Sequence, residues 1–110
     1  WYDNGVFRGK RAMLAFTTGG PAQMFTPTGR SGDLNTLFFS VQHGSLFFCG
    51  FDVITPYGVY GAARGDDAMR QRQLDEYAAY LRSIDSQPLV PFHPLSDFDE
   101  RLQLKPGARL

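Results

Sequence analysis

At 110 residues, with 43% apolar and 15% aromatic side chains, the chain has the composition of one small folded domain or a piece of one. Eleven Lys and Arg balance eleven Asp and Glu with no polybasic run, which argues against a nucleic-acid partner. No apolar stretch approaches the roughly 20 residues of a membrane span, no secretory leader opens the chain, and the single cysteine, Cys49, excludes an internal disulfide; the cytoplasm is the expected location.

Trp1 to Lys10 carries turn signals, Asp3-Asn4-Gly5 and Gly9. Arg11 to Thr18 (RAMLAFTT) is short, almost continuously apolar and cut off by Gly19-Gly20-Pro21, which predicts a strand buried on both faces, as in a parallel sheet. Residues 21–32 form a long loop. Asp33 then caps a helical pattern in which Leu34, Leu37, Phe38 and Val41 share one face, and Gly44 ends or bends it. Cys49 lies among Leu46, Phe47, Phe48 and Phe51, a setting that predicts a buried structural thiol. Phe51 to Thr55 (FDVIT) is the second strand, stopped by Pro56, with a loop or short extension over 57–65.

Asp66 to Ile84 carries the clearest helix. Its apolar face is Leu74, Tyr77, Ala78, Leu81 and Ile84, and Asp66 and Asp67 sit in the first turn, where the dipole favours anions. From Ser86 onward four prolines mark an irregular arm outside the core, so that 1–84 reads as the folded unit and 85–110 as an appendage. Strand, helix, strand, helix is the α/β class: a parallel sheet with helices on both faces, ligands binding beyond the carboxyl ends of the strands. Two strands alone leave faces and edges uncovered. Together with an opening on Trp1 rather than methionine, this predicts a chain that is part of a larger domain.

The segment Thr17-Thr18-Gly19-Gly20 is the most informative for chemistry. Glycines at the carboxyl end of a strand let a flat ligand approach the backbone and leave N–H groups free to bond with it. Alone, the four residues read as a plain strand-to-loop turn. They are not alone: GKRAMLAFTTGGPAQMF, followed by GRSGDLNTLFFSVQHGSLFFCGFDVITP and the Ala68-Met69-Arg70 helix start, resembles the NAD(P)H:quinone oxidoreductases of the flavodoxin-like superfamily, in order and spacing, from about Trp1 to Ile84. The segment matches the C-terminal portion of that fold.

The resemblance implies a flavin, FAD with FMN as the alternative, whose ring lies over Thr17, Thr18, Gly19 and Gly20, and NAD(P)H as co-substrate. Arg70 matches the helix arginine near the adenine side of the cofactor; the plain alternative is a solvated helix arginine. Phe48 matches an aromatic lining the acceptor's pocket, contributed across a homodimer interface; the alternative is ordinary packing. The aromatic surplus at Phe38, Phe39, Phe47 and Phe48, more than two strands can bury, agrees with a partner surface. Where members of the family carry a tyrosine and a histidine that assist hydride transfer, this chain has Phe25 and Ser31, so no catalytic side chain is assigned. The implied activity is hydride transfer from NAD(P)H to a quinone or related acceptor. A non-catalytic flavin-binding subunit, of the kind ancillary to potassium efflux systems, and an inactive fragment stand as alternatives. His43 and His93 read as structural, and no spacing supports a metal site.

Overall fold

The computed structural model describes residues 1–110. Its centre is a parallel pair of strands, β1 (Arg11–Thr18) and β2 (Asp52–Tyr60). Arg11 pairs with Asp52 and Met13 with Ile54; after a shift of register Ala15 pairs with Tyr57 and Thr18 with Tyr60. Leu14 therefore faces two residues, Thr55 and Pro56, which makes a bulge.

That bulge explains why β2 does not stop at Pro56, as its sequence predicts, but runs four residues further. The Asp52 N–H donates to Lys10, so even-numbered residues of β2 turn their backbone groups toward β1. Pro56 falls on that side, and its missing donor is absorbed where the ladder is already interrupted. Odd-numbered residues face the other edge. There the Thr55 N–H donates to Pro88 O, and Val53 O accepts from the Val90 N–H. The arm thus adds a short antiparallel bridge, Ile54 to Leu89, to the sheet. Instead of lying outside the core it contributes Val90, buried with Val53 and Ile54.

Asp33 caps the first helical stretch as its sequence predicts: its carboxylate accepts from the Thr36 N–H at 3.0 Å and from the Thr36 hydroxyl at 2.8 Å. The stretch is α1 (Leu34–Leu37), α2 (Phe39–Val41) and a π-helical segment, Gln42–Phe47. Gly44 neither ends nor sharply breaks it but lies inside the widened π turn. Gln42 is wholly buried there, its Nε2 donating to Asn35 Oδ1 at 3.3 Å.

The segment then turns sharply at Cys49-Gly50. The Gly5 backbone approaches so closely that a Cβ on Gly5 would lie 2.4 Å from the Cys49 carbonyl carbon, and Gly50 takes φ +104°. This backbone-on-backbone contact turns the Cys49 side chain outward. The thiol is exposed, contrary to the buried setting its apolar neighbours predict.

Helix α3 (Asp67–Arg82) is capped by Asp66, whose Oδ1 accepts from the Met69 N–H at 2.8 Å. Its inward face differs from the one its apolar residues predict. Met69, Gln73, Tyr77 and Tyr80 are half-buried, as is Ile84 in the short turn beyond the helix, which ends at Arg82; of the expected face Leu74 (63% exposed), Ala78 and Leu81 are instead exposed. Tyr57 on β2 sets this rotation by packing against Tyr77 and Tyr80, ring centroids 4.9 and 4.6 Å away. The free edge of β1 and the Leu74–Leu81 ridge are uncovered. The radius of gyration, 16.5 Å, exceeds the ~13 Å expected of a compact chain this long. No helix is long and apolar enough to cross a membrane.

Candidate functional site

The turn leaving β1 is held by its own polar atoms. The Gly20 N–H donates to Thr18 Oγ1 at 3.2 Å, and Gly20 O accepts from the Gly61 N–H at 3.1 Å, tying the turn to the end of β2. The two glycines differ. A Cβ at Gly20 would meet Met24 Sδ at 2.8 Å with the Phe25 ring behind it, whereas a Cβ at Gly19 would meet nothing within 4 Å. Gly19 has no positive φ, and its N–H makes no hydrogen bond within the chain. The sheet's carboxyl end therefore presents one bare, donor-bearing peptide, the surface a flat heteroaromatic ring requires.

Phe25 and Ser31 reach the same loop end. The Ser31 N–H donates to Met24 O at 2.9 Å, and the Phe25 ring lies 5.7 Å from Tyr60. Burial raises the Tyr60 pKa above its usual value, so its hydroxyl stays protonated at neutral pH.

Thr17 and Arg70 line one cleft of about 600 Å³ between β1, β2 and α3, together with Tyr57, Gln73 and Tyr77. The Arg70 guanidinium is half exposed and donates to Asp67 at 3.1 Å, one helical turn back. That contact orients it, and at such exposure contributes little stability. Burial first, then the charge of Glu76 and the neighbouring tyrosines, raises the Tyr57 pKa, and burial raises that of Tyr80. The cleft is thus apolar and neutral apart from one cation, which suits the anionic or electron-rich part of a nucleotide cofactor. A free peptide N–H on the turn and a forked guanidinium on the helix are donor types of the kind a flavin's ring and its distal part accept from.

Phe48 is not at this cleft. It lies with Trp1, Tyr2, His43 and His93 around a separate cavity of about 370 Å³. Its ring meets Tyr2 edge-on at 5.3 Å and Trp1 at 6.0 Å. Of the sequence-derived candidates, then, Thr17 and Arg70 share a cleft, Thr18, Gly19 and Gly20 form the adjoining turn, and Phe48 stands apart. Sequence reasoning placed Tyr77 on the inner face of α3 but missed Tyr57, which the alternation along β2 could have set opposite it. It also missed the pairing of His93 with Asp97, whose four-residue spacing was the available signal. No group of three His, Cys, Asp or Glu side chains is placed to hold a metal ion.

Comparison with known proteins bears on the fold and the family. The model of a family described by its flavodoxin-like fold matches residues 1–83. Mouse ribosyldihydronicotinamide dehydrogenase [quinone] is 42% identical over 84 residues, 76% of this chain and 36% of the relative. Guinea-pig (Cavia porcellus) NAD(P)H dehydrogenase [quinone] 1 is 36% identical over 102 residues, 93% of this chain and 37% of the relative. The crystal structure of a Klebsiella pneumoniae protein assigned as a quinone reductase superposes with a TM-score of 0.87 at 34% identity, over 96% of this chain and 42% of that one. The chain spans little more than a third of the length of these relatives. It belongs to the flavodoxin-like fold family, and the resemblance to that fold's NAD(P)H:quinone oxidoreductases, first drawn from the TTGG turn and the blocks around it, holds.

Proposed function

We propose that this chain forms the quinone-side part of a flavin-dependent oxidoreductase that takes hydride from NAD(P)H and passes it to a quinone or related acceptor. The observation that carries the reading is the bare Gly19 peptide at the carboxyl end of β1, in a chain similar to quinone reductases. A flavin seated there, FAD rather than FMN by family, supplies the two-electron chemistry that side chains lack. The chain's own residues bind and orient. Thr17, Thr18, Gly19 and Gly20 offer backbone and hydroxyl groups to the ring, and Arg70 offers its forked guanidinium to the distal part of the cofactor. Phe48 supplies an apolar wall for the acceptor, reaching the ring of a second copy in a homodimer. The free edge of β1 and the Leu74–Leu81 ridge take the remainder of the domain, and the protein works in the cytoplasm.

Phe25 and Ser31 favour a second reading, a flavin-binding subunit that is reduced but turns over slowly, because neither side chain can relay a proton near neutral pH. One experiment separates the two. The complete protein is purified, its absorbance near the flavin bands is recorded, and NADPH is added anaerobically. A bound yellow chromophore that bleaches, then recovers with a benzoquinone over many turnovers, supports the reductase. Bleaching without turnover supports the second reading, and a colourless protein that stays colourless when FAD is supplied rules out both.

A further inference from the structure

The arm carries an imidazole–carboxylate pair that the reaction above does not use. His93 Nδ1 lies 2.8 Å from Asp97 Oδ2 across the short turn Leu95–Asp97, with side chains 19% and 27% exposed. An ionised carboxylate only accepts hydrogen bonds, so this contact keeps a proton on Nδ1, and Nε2, which has no partner in the chain, is a donor to an acceptor oxygen when the ring carries its second proton. The arm is fixed where it must be for such a role. Asp3 Oδ1 accepts from the Leu95 N–H at 2.8 Å, binding this turn to the segment that carries Trp1 and Tyr2. Phe92 stacks on Phe47 at 4.9 Å.

His93 lines the same cavity of about 370 Å³ as Phe48 and Trp1. That volume lies in the range of small-molecule pockets, roughly 300–1,000 Å³. Aromatic walls with one oriented polar group describe a site for a flat ring bearing an oxygen. The other titratable groups on the cavity are Tyr2, His43 and Asp99. Tyr2 and His43 pack ring against ring at 5.0 Å, and burial lowers the His43 pKa, which keeps it neutral. Asp99 Oδ1 accepts from the N–H groups of Arg101 and Gln103, and its negative charge repels a carbonyl oxygen. His93 alone among them is held by a carboxylate.

We propose that His93, positioned by Asp97, contacts the acceptor's carbonyl oxygen and supplies its proton, the task that Phe25 and Ser31 cannot perform. The inference rests on the quinone-reductase reading, in which Phe48 lines the acceptor's pocket. Reducing a quinone to a hydroquinone consumes one hydride and one proton. A flavin bound by the second copy of the homodimer, whose ring Phe48 is proposed to reach, would supply the hydride. The proton passes from Nε2–H of the imidazolium to the quinone oxygen as the O–H bond forms, and water reprotonates the neutral imidazole afterwards.

The test uses the complete, flavin-loaded protein. Calorimetry gives the affinity of the oxidised protein for 2-methyl-1,4-naphthoquinone, and rapid mixing gives the rate at which that quinone reoxidises the NADPH-reduced protein. His93→Phe keeps a flat ring but has no donor. It is expected to bind the quinone about 10- to 100-fold more weakly, the loss of one charge-assisted hydrogen bond. His93→Gln carries an amide donor that can bind but cannot give up a proton, so it should restore affinity while reoxidation stays about 10²-fold slow. Asp97→Asn, whose amide oxygen can still accept from Nδ1–H, should retain affinity that Asp97→Ala loses. This pair decides the question should His93→Phe not fold. Unchanged quinone affinity in His93→Phe overturns the contact, and wild-type reoxidation in His93→Gln overturns the proton role. Failure of NADPH to bleach the wild-type protein instead sinks the reductase reading, while the comparative quinone affinities still decide the His93 contact.

Discussion

At the turn after β1 two adjacent glycines serve different ends. Gly20 is bare because Met24 and Phe25 cover it; Gly19 is bare and nothing covers it. Gly19→Val therefore adds bulk into open space with no backbone strain, and it should leave the melting temperature within a degree or two while cutting flavin affinity at least tenfold, measured by fluorescence titration of the apoprotein. A variant that binds flavin as tightly as wild type would count against a ring on this turn. The same loop end supports a gain-of-function experiment. With His93 supplying the proton in the wild type, the family's pair introduced by Phe25→Tyr and Ser31→His should raise quinone turnover by about 10-fold or more only in a His93→Gln background, since a positioned acid or base contributes roughly 10²–10⁴-fold. A steady-state assay at saturating NADPH reads it. No gain in that background would mean that side chains at positions 25 and 31 do not reach the acceptor.

At the scale of elements, the π-helical segment and the arm meet through aromatic faces. His43 stacks on Phe39 at 4.6 Å and meets Phe92 of the arm at 5.2 Å. Burial holds its folded-state pKa below the ordinary 6.5, so the unfolded chain binds the proton more readily. The associated stability is complete above pH 6.5 and is lost as pH falls from there toward the lowered folded value. His43→Phe should flatten that part of the stability profile, followed as urea midpoints between pH 7.5 and 5.5; an unchanged slope would remove His43 as its source. Asp33 acts with the same sign lower down. The Thr36 hydroxyl and N–H depress its pKa, so its capping contribution is present at neutral pH and lost only when acid protonates the carboxylate below its ordinary 3.8. On α3 the exposed Leu74–Leu81 ridge yields a paired prediction. Leu81→Glu, on the part of the ridge outside the Thr17–Arg70 cleft, should change the stability of the 110-residue chain by about 0.5 kcal/mol or less, as at other open surface sites. In the complete protein, where the rest of the domain is proposed to cover that ridge, the same change should cost several-fold more.

Across the whole molecule the core is thin: Val53, Ile54 and Pro56 of β2 and Val90 of the arm are its buried apolar side chains. Val90 closes the second edge of β2 through the hydrogen bond from its N–H to Val53 O at 2.7 Å. Val90→Ala should destabilise by about 1–3 kcal/mol, read as a lower urea midpoint at unchanged slope. An effect within error would show that the arm rests on the sheet without contributing to it.

The sequence by itself determined the elements whose causes are local. The first strand, the opening half of the second, the Asp33 cap and α3 to within two residues of its end follow from apolar runs, side-chain periodicity and a carboxylate placed three residues before the amide it caps. The TTGG turn and the family blocks around it were equally legible, because a bare backbone can only be written with glycine. Only the tertiary structure decided what depends on distant neighbours. Pro56 sits inside a strand because its missing donor lands on a bulge created by register with β1. Tyr57 chose which face of α3 turns inward, against the count of leucines. The approach of Gly5 to Gly50 turned Cys49 outward, and contact with β2 brought a proline-rich tail into the core. His93 met Asp97 beside Phe48 only once that tail was seated, since a pair four residues apart has no meaning until something orders the backbone between them.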